Sequence, residues 1–226
     1  MKIGIIGGLG PLATVKFMEM LNERLKNDKN VEIIVINDPT TPDRTSYILN
    51  NKKDNPVFKI LEMVKKLELF ECNLIVMPCN TASYFYKEIT KNTNIPFINI
   101  VEETVKYLNK NNIKKIGLLA TEGTIKSYIY KELLDLYNID LIVPDDKDQE
   151  IVSSIIYDGI KSNKEIDLNE LYKVINDLKN NGSEKIILGC TELSALNKIY
   201  NLNNEILIDA MEILADSVIK YINHTN

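Results

Sequence analysis

Three short segments of this 226-residue sequence occur twice, in the same order and at nearly the same separation. One such match is common among buried strands, but three at separations of 113, 111 and 110 residues indicate an internal repeat. We therefore predict two similar lobes, residues 1–100 together with 209–226 and residues 101–208. The matching pairs are KIGIIGG at 2–8 with KIGLLAT at 115–121, IVMPCNTAS at 75–83 with IILGCTELS at 186–194, and NIPFIN at 94–99 with NEILID at 204–209.

The apolar pattern predicts an α/β fold in which each lobe is a parallel sheet flanked by helices. Eight runs are rich in Ile, Val and Leu rather than alternating with polar residues, as strands buried on both faces are. Helical spacing of apolar residues separates many of them, as at 57–67 and 168–178. Residues 38–56 and 144–149 are predicted as polar loops. The predicted strands are 2–6, 32–37, 73–78, 96–100, 115–120, 139–143, 185–189 and 206–208.

Charge and residue usage exclude several classes of function. A net charge of -5 argues against a nucleic-acid partner. No apolar run approaches the ~18 residues of a membrane span, and the first residues are not typical of a secretory signal. Three cysteines do not indicate a disulfide framework, so we expect a cytoplasmic protein with free thiols. The single histidine, His224, lies in the C-terminal tail, which argues against Ser-His-Asp catalysis and zinc binding.

Two of the cysteines occupy equivalent positions in the repeat. Cys79 and Cys190 each follow a predicted strand, and the carboxyl ends of parallel strands form ligand crevices. If the lobes face each other, the thiols flank one cleft from opposite sides. That arrangement suits racemisation, in which one thiolate removes a proton from a stereocentre and the opposite thiol delivers one. CNTAS and CTELS both resemble helix starts with small polar caps, where the usual thiol pKa of about 8.5 is lowered.

Other interpretations of these residues remain open. Buried cysteines are often inert core residues, which is the interpretation we favour for Cys72. A redox disulfide or a metal site is less well supported, because there is no CxxC motif and no histidine nearby. Gly8, Gly10 and Ala13 match the dinucleotide pattern G-x-G-x-x-A, but Pro11 interrupts the turn and the paired thiols would be unexplained. Gly8 and Gly10 instead form a tight turn or let the backbone approach a substrate.

Four motifs together resemble the aspartate/glutamate racemase superfamily over essentially the whole chain. They are GGLGPLAT at 7–14, PDRT at 42–45, PCNTAS at 78–83 and LGCTELS at 188–194. Glutamate racemases generally have an Asp-Ser pair in the first glycine loop and a histidine after the second Cys-Thr. This chain has Gly7-Gly8 and Glu192 there, so the resemblance favours the aspartate racemase branch.

The resemblance implies a homodimer with an active site between its two lobes and a small acidic amino acid as substrate. It implies no cofactor, in particular no pyridoxal phosphate, and no metal. Glutamate, broad-specificity and hydantoin racemases remain alternatives, as does an amino-acid-binding protein without catalysis.

Carried over position by position, the resemblance also assigns roles to individual residues. Cys79 and Cys190 become the acid/base pair. Judged from its own position two residues after Cys190, Glu192 tunes that thiol, holds the substrate ammonium or merely starts a helix. Arg44, predicted in a loop, binds the side-chain carboxylate, with Lys161 as a second cation. The remaining substrate-binding residues implied are Asn80, Thr81, Thr121 and Thr191.

Overall fold

The computed structural model contains two four-stranded parallel sheets. It describes residues 1–26, 28, 30–50, 53–160, 162, 166–202 and 205–225. The sheet orders are β2-β1-β3-β4 and β6-β5-β7-β8, so equivalent strands occupy equivalent places. The α/β prediction is thereby confirmed, and a strand lies at each of the eight predicted runs. The strands are β1 Lys2–Gly7, β2 Glu32–Asn37, β3 Leu74–Val76, β4 Phe97–Ile98, β5 Lys115–Leu119, β6 Asp140–Ile142, β7 Lys185–Leu188 and β8 Leu207–Asp209.

Helices cover both sheets, and the two predicted helical patterns correspond to α3 and α9. A 3₁₀ helix, Thr81–Phe85, precedes α4, and a π-helical segment, Ile155–Ile160, follows α8. None of the helices in the described ranges is long and apolar enough to cross a membrane. The α-helices are α1 Pro11–Arg24, α2 Arg44–Leu49, α3 Val57–Leu69, α4 Tyr86–Thr90, α5 Ile100–Lys110, α6 Glu122–Lys126, α7 Ile129–Asp135, α8 Asp146–Ser154, α9 Leu168–Asn180, α10 Thr191–Tyr200 and α11 Ala210–Thr225.

The prediction of polar loops at 38–56 and 144–149 was wrong in part, because helices begin inside both segments. Asp43 caps α2 by accepting a hydrogen bond from the Ser46 amide at 2.7 Å. Asp145 caps α8 by accepting one from the Asp148 amide at 2.9 Å. A side chain that satisfies a free amide stabilises a helix start even where few apolar residues follow.

The last strand of each sheet leads directly into a capped helix. Asn99 accepts a hydrogen bond from the Val101 amide at the start of α5, and Asp209 accepts one from the Met211 amide at the start of α11, both at 2.9 Å. Helix α11 packs against α1 and α5. One core cluster contains Phe17 of α1 as well as residues of β5 and β7, so apolar packing continues from one sheet to the other.

A tight turn connects β1 to α1. Gly8 has a φ of 83°, and a Cβ there would lie 2.4 Å from the carbonyl carbon of Asp38. Its amide donates to the hydroxyl of Thr14 at 3.0 Å, and Pro11 occupies the first position of α1. Only glycine fits this conformation without strain, which supports the turn interpretation of Gly8.

Candidate active site

A buried cleft lies between the two sheets, near the carboxyl ends of their strands. Residues from both halves of the chain line it. The space left among them is about 10 Å³, which is at the limit for a single water molecule. The lining residues are Leu9, Asp43, Arg44, Thr45, Cys79, Asn80, Thr81, Thr121, Tyr157, Cys190, Thr191 and Glu192.

Both paired cysteines reach this cleft. Cys79 follows β3 and precedes the 3₁₀ helix, and Cys190 follows β7 and occupies the N-cap position of α10. They are 7% and 5% exposed. The predicted helix starts are therefore present, but the predicted polar caps are wrong: neither start has a side-chain cap. Asn80 hydrogen-bonds elsewhere, and the cap position of α10 is held by the cysteine itself.

The third cysteine lies outside the cleft. Cys72 belongs to the core cluster around α3, where a Cβ on Gly4 would lie 3.1 Å from its Sγ. Burial raises the pKa of the Cys72 thiol. This environment agrees with the prediction of an inert core residue.

Arg44 is the first residue of α2 and not, as predicted, part of a loop. Its side chain folds back into the protein, and the residue is 7% exposed. Nη1 donates to the carbonyl oxygen of Pro42 at 3.1 Å and to that of Thr41 at 3.4 Å, and Nη2 donates to the carbonyl of Leu9. Nε has no partner among the described residues. The cleft thus contains a buried guanidinium with a free donor.

The amide of Asn80 is held by a residue from the other half of the chain. The hydroxyl of Tyr130, on α7, donates to Asn80 Oδ1 at 2.7 Å. Asn80 is 2% exposed, and its Nδ2 finds no hydrogen-bond acceptor in the described part of the chain. A second free donor is therefore buried at the cleft.

Three threonine hydroxyls join the two halves beside the cleft. Thr81 Oγ1 shares hydrogen bonds with Thr121 Oγ1 at 2.9 Å and with Thr124 Oγ1 at 2.8 Å. Thr121 also caps α6 by accepting a hydrogen bond from the Thr124 amide at 3.2 Å. The three residues are buried. The predicted site residues Thr81 and Thr121 are thus in contact with each other across the cleft.

Glu192 contacts one of the two thiols. Cys190 Sγ donates to its Oε2 at 3.1 Å, and the Thr191 hydroxyl lies 3.4 Å from the same oxygen. The other oxygen, Oε1, lacks a donor within the described ranges and lies where a Cβ on Gly10 would come within 2.2 Å of it. Glycine at position 10 therefore makes room for a buried carboxylate oxygen.

The remaining predicted site residues have different outcomes. Lys161 lies outside the described residues. Gly8 and Gly10 shape the turn beneath the cleft but do not line it.

Four lining residues were not predicted. Leu9 lies in the motif GGLGPLAT, and Asp43 and Thr45 lie in PDRT, so their places in these motifs could have indicated them. Tyr157 lies in none of the motifs. Burial raises the pKa of the Tyr157 phenol.

Comparison with known proteins places the chain in a group of racemases. The sequence matches the Asp/Glu/Hydantoin racemase family over residues 6–218. Among solved structures, an aspartate racemase from Picrophilus torridus is 34% identical, with a TM-score of 0.81, and the similarity covers 98% of this chain and 94% of that one.

Curated relatives include racemases with other substrates. A broad-specificity amino-acid racemase, RacX, from Bacillus subtilis is 29% identical over 96% of this chain and 96% of its own length. A glutamate racemase from Aquifex pyrophilus is 28% identical over 98% of this chain and 84% of its own length.

Proposed function

The chain belongs to the Asp/Glu/hydantoin racemase family, and from this membership we propose that it interconverts L- and D-aspartate without a cofactor, through proton transfers by Cys79 and Cys190. The observation that carries the proposal is the convergence of both thiols on one buried cleft that also contains unpaired polar atoms. Similarity to an aspartate racemase at 34% identity supports the choice of aspartate.

The unpaired atoms at the cleft match the polar groups of aspartate. Two are donors, Arg44 Nε and Asn80 Nδ2, and one is an acceptor, Glu192 Oε1; none has a partner among the described residues. Leaving a buried polar group unpaired costs about 1–3 kcal/mol, so such groups call for an explanation. Aspartate carries two carboxylates and one ammonium group. We assign the side-chain carboxylate to Arg44, the α-carboxylate to Asn80 and the ammonium to Glu192.

The proposed reaction conserves protons in each turnover. One cysteine begins as a thiolate and takes the α-proton, and the other begins as a thiol and gives its proton to the opposite face of the same carbon. The protonation states of the two cysteines are then exchanged, so the enzyme is ready for the reverse direction. Negative charge that develops on the α-carboxylate during this step is stabilised by the Asn80 amide.

Glu192 is assigned a second role beside Cys190. Its Oε2 already accepts the thiol hydrogen bond. This contact holds Cys190 Sγ at the cleft, while the carboxylate keeps its negative charge and stays available to the substrate ammonium. The interpretation of Glu192 as a mere helix-start carboxylate does not account for this contact.

Entry of aspartate requires movement of the cleft. An amino acid does not fit in about 10 Å³. The hydroxyl contacts of Thr81 with Thr121 and Thr124 hold the two halves together. We therefore propose that the two halves part as substrate enters and close again around it, with these hydroxyl contacts exchanged for contacts to the substrate, which excludes water from the reaction.

Three alternatives use the same site. Two are racemases with other substrates, and the third is a binding protein without catalysis. Because the relatives include a broad-specificity racemase and a glutamate racemase, other amino acids should be tested as well. Glutamate is the first of these, since it differs from aspartate by one methylene group. An amino-acid-binding protein without catalysis would use the same polar atoms but would need neither thiol.

The proposal is tested by proton NMR of the reduced, metal-free protein with L-aspartate in D2O, followed by chiral analysis. We expect the α-proton signal to disappear while D-aspartate accumulates. If the α-proton signal disappears with glutamate or with neutral amino acids but not with aspartate, the protein is a racemase with a different substrate from the one proposed. Binding of aspartate without any exchange would support the non-catalytic alternative and overturn the racemase proposal.

Gly10→Ala is expected to reduce activity with little effect on stability. The new Cβ displaces the end of the Glu192 side chain, and the backbone φ of -168° is open to any residue. We expect kcat for aspartate to fall at least tenfold. This is less than the ~10²–10⁴-fold that an acid–base group itself contributes, because the variant displaces Glu192 without removing it. Gly8→Ala is the matched contrast, since its strain of about 1–3 kcal/mol lowers the melting temperature instead. Full activity in Gly10→Ala would remove Glu192 from the mechanism.

A further inference from the structure

We propose that Tyr130 is a positioning residue, which fixes the Asn80 amide so that its NH2 group, and not its oxygen, faces the substrate. This inference rests on the proposed function, because it concerns recognition of the α-carboxylate. Tyr130 does not line the cleft. It acts from the other half of the chain, through the hydrogen bond of 2.7 Å from its hydroxyl to Asn80 Oδ1.

Tyr130 is well placed to hold another side chain. It is 1% exposed and is among the largest fully buried side chains, packed in the core cluster that extends from one sheet to the other. Close packing of this kind leaves a ring little freedom to move. Burial also raises the pKa of the Tyr130 phenol, and a phenol is protonated at neutral pH even without that shift, so its hydrogen is available to donate.

The hydrogen bond decides which atom of the amide is available to a ligand. An asparagine side chain has an acceptor at one end and two donors at the other. Because Tyr130 donates to Oδ1, Nδ2 is the end left without a partner among the described residues. In the reverse orientation the cleft would offer one donor and two acceptors, which does not match a substrate with two carboxylates.

The contact also links recognition to closure of the cleft. Asn80 follows Cys79 in the first half of the chain, whereas Tyr130 lies on α7 in the second. The amide is therefore oriented only while the two halves are together. An open cleft presents Asn80 without a fixed orientation, and closure supplies the donor at the moment the substrate is enclosed.

A double-mutant cycle of Tyr130→Phe, Asn80→Ala and their combination tests this role. For each protein, kcat and KM for aspartate are measured with the affinity for aspartate by calorimetry and the melting temperature. We expect Tyr130→Phe to lower kcat/KM about 10- to 100-fold, because an amide that is no longer oriented loses its own hydrogen bond to the charged α-carboxylate. In the Asn80→Ala background it should have less than about a twofold further effect, because Tyr130 then has nothing to orient. Effects that multiply would show a structural role and overturn the proposal.

Tyr86→Phe is the matched control. It removes a hydroxyl that donates to the carbonyl of Phe97 at 3.2 Å, in the first half of the chain and away from the cleft. We expect its kinetic constants to equal those of the wild type. A loss in Tyr86→Phe as large as that in Tyr130→Phe would mean that the effect is not specific to Asn80.

Asn80→Asp provides a second test that does not depend on how well Tyr130→Phe folds. The carboxylate still accepts from Tyr130, but its other oxygen faces the cleft as an acceptor. We expect aspartate to bind more weakly to Asn80→Asp than to Asn80→Ala, and equal or tighter binding would overturn the proposal. If the wild type binds aspartate without racemising it, the proposed function fails while the affinities still test Tyr130. If it does not bind aspartate, both fail.

Discussion

Replacement of either Cys79 or Cys190 by alanine is expected to abolish the interconversion of L- and D-aspartate. Each thiol serves one face of the α-carbon in the proposed scheme, so a single cysteine cannot complete the reaction. General acid–base groups contribute about 10²–10⁴-fold each, and loss of either should lower kcat by at least about 10³-fold. Chiral chromatography of the aspartate formed from each enantiomer measures this directly.

Cys72→Ala is the matched control for the paired thiols. It removes a third buried cysteine from the core around α3, which costs stability of about 1 kcal/mol or somewhat more but leaves the cleft intact. We expect full racemase activity with a slightly lower melting temperature. Near wild-type turnover in Cys79→Ala or Cys190→Ala, with Cys72→Ala also active, would contradict the two-base scheme.

Arg44→Ala is expected to weaken recognition of acidic substrates above all others. The guanidinium is buried at the cleft and has an unpaired Nε, and truncation of one partner of a buried charge pair costs about 2–5 kcal/mol. We therefore expect kcat/KM for aspartate to fall about 100-fold or more, while that for a neutral amino acid falls much less. Steady-state kinetics with aspartate and alanine give the comparison.

The chain offers one other arginine as a control. Arg24 pairs with Glu212 and with Asp216 Oδ1, the latter at 2.7 Å, away from the cleft. Arg24→Ala should leave the kinetic constants unchanged, because Arg24 does not line the cleft. An unchanged kcat/KM for aspartate in Arg44→Ala would remove Arg44 from the site.

The strands were predictable because burial on both faces leaves a direct mark on the sequence. Each of the eight apolar runs forms a strand, and the repeat anticipates the shared strand order. Helix α2 was not predicted because its six residues, RTSYIL, are too few to show a helical period. Asp43 caps its start and α6 packs against it, and neither contact is visible as a repeating pattern in six residues.

The lining of the cleft was predictable where its residues lie within motifs, and two of them, Cys79 and Cys190, also follow strand ends. Cys79, Cys190 and Arg44 reach one cleft as expected. The contacts of Tyr130 and Tyr157 depend instead on how the halves of the chain are placed against each other. No local pattern records that placement, because packing partners are separated by tens of residues. The hydrogen bond from Tyr130 to Asn80, for example, spans 50 positions.

The repeat places different residues at equivalent positions, and this has a consequence for stereochemistry. Thr81 and Glu192 occupy the same place in the two copies of the motif, yet Thr81 bonds to other hydroxyls and Glu192 contacts a thiol. A planar carbanion bears three different substituents, so a half-turn that exchanges its faces does not superimpose it on itself. A dimer of identical lobes would have to surround it with identical groups. When both lobes belong to one chain, each can keep a cysteine for proton transfer at the equivalent position, while the side chains that bind the substrate differ between the lobes.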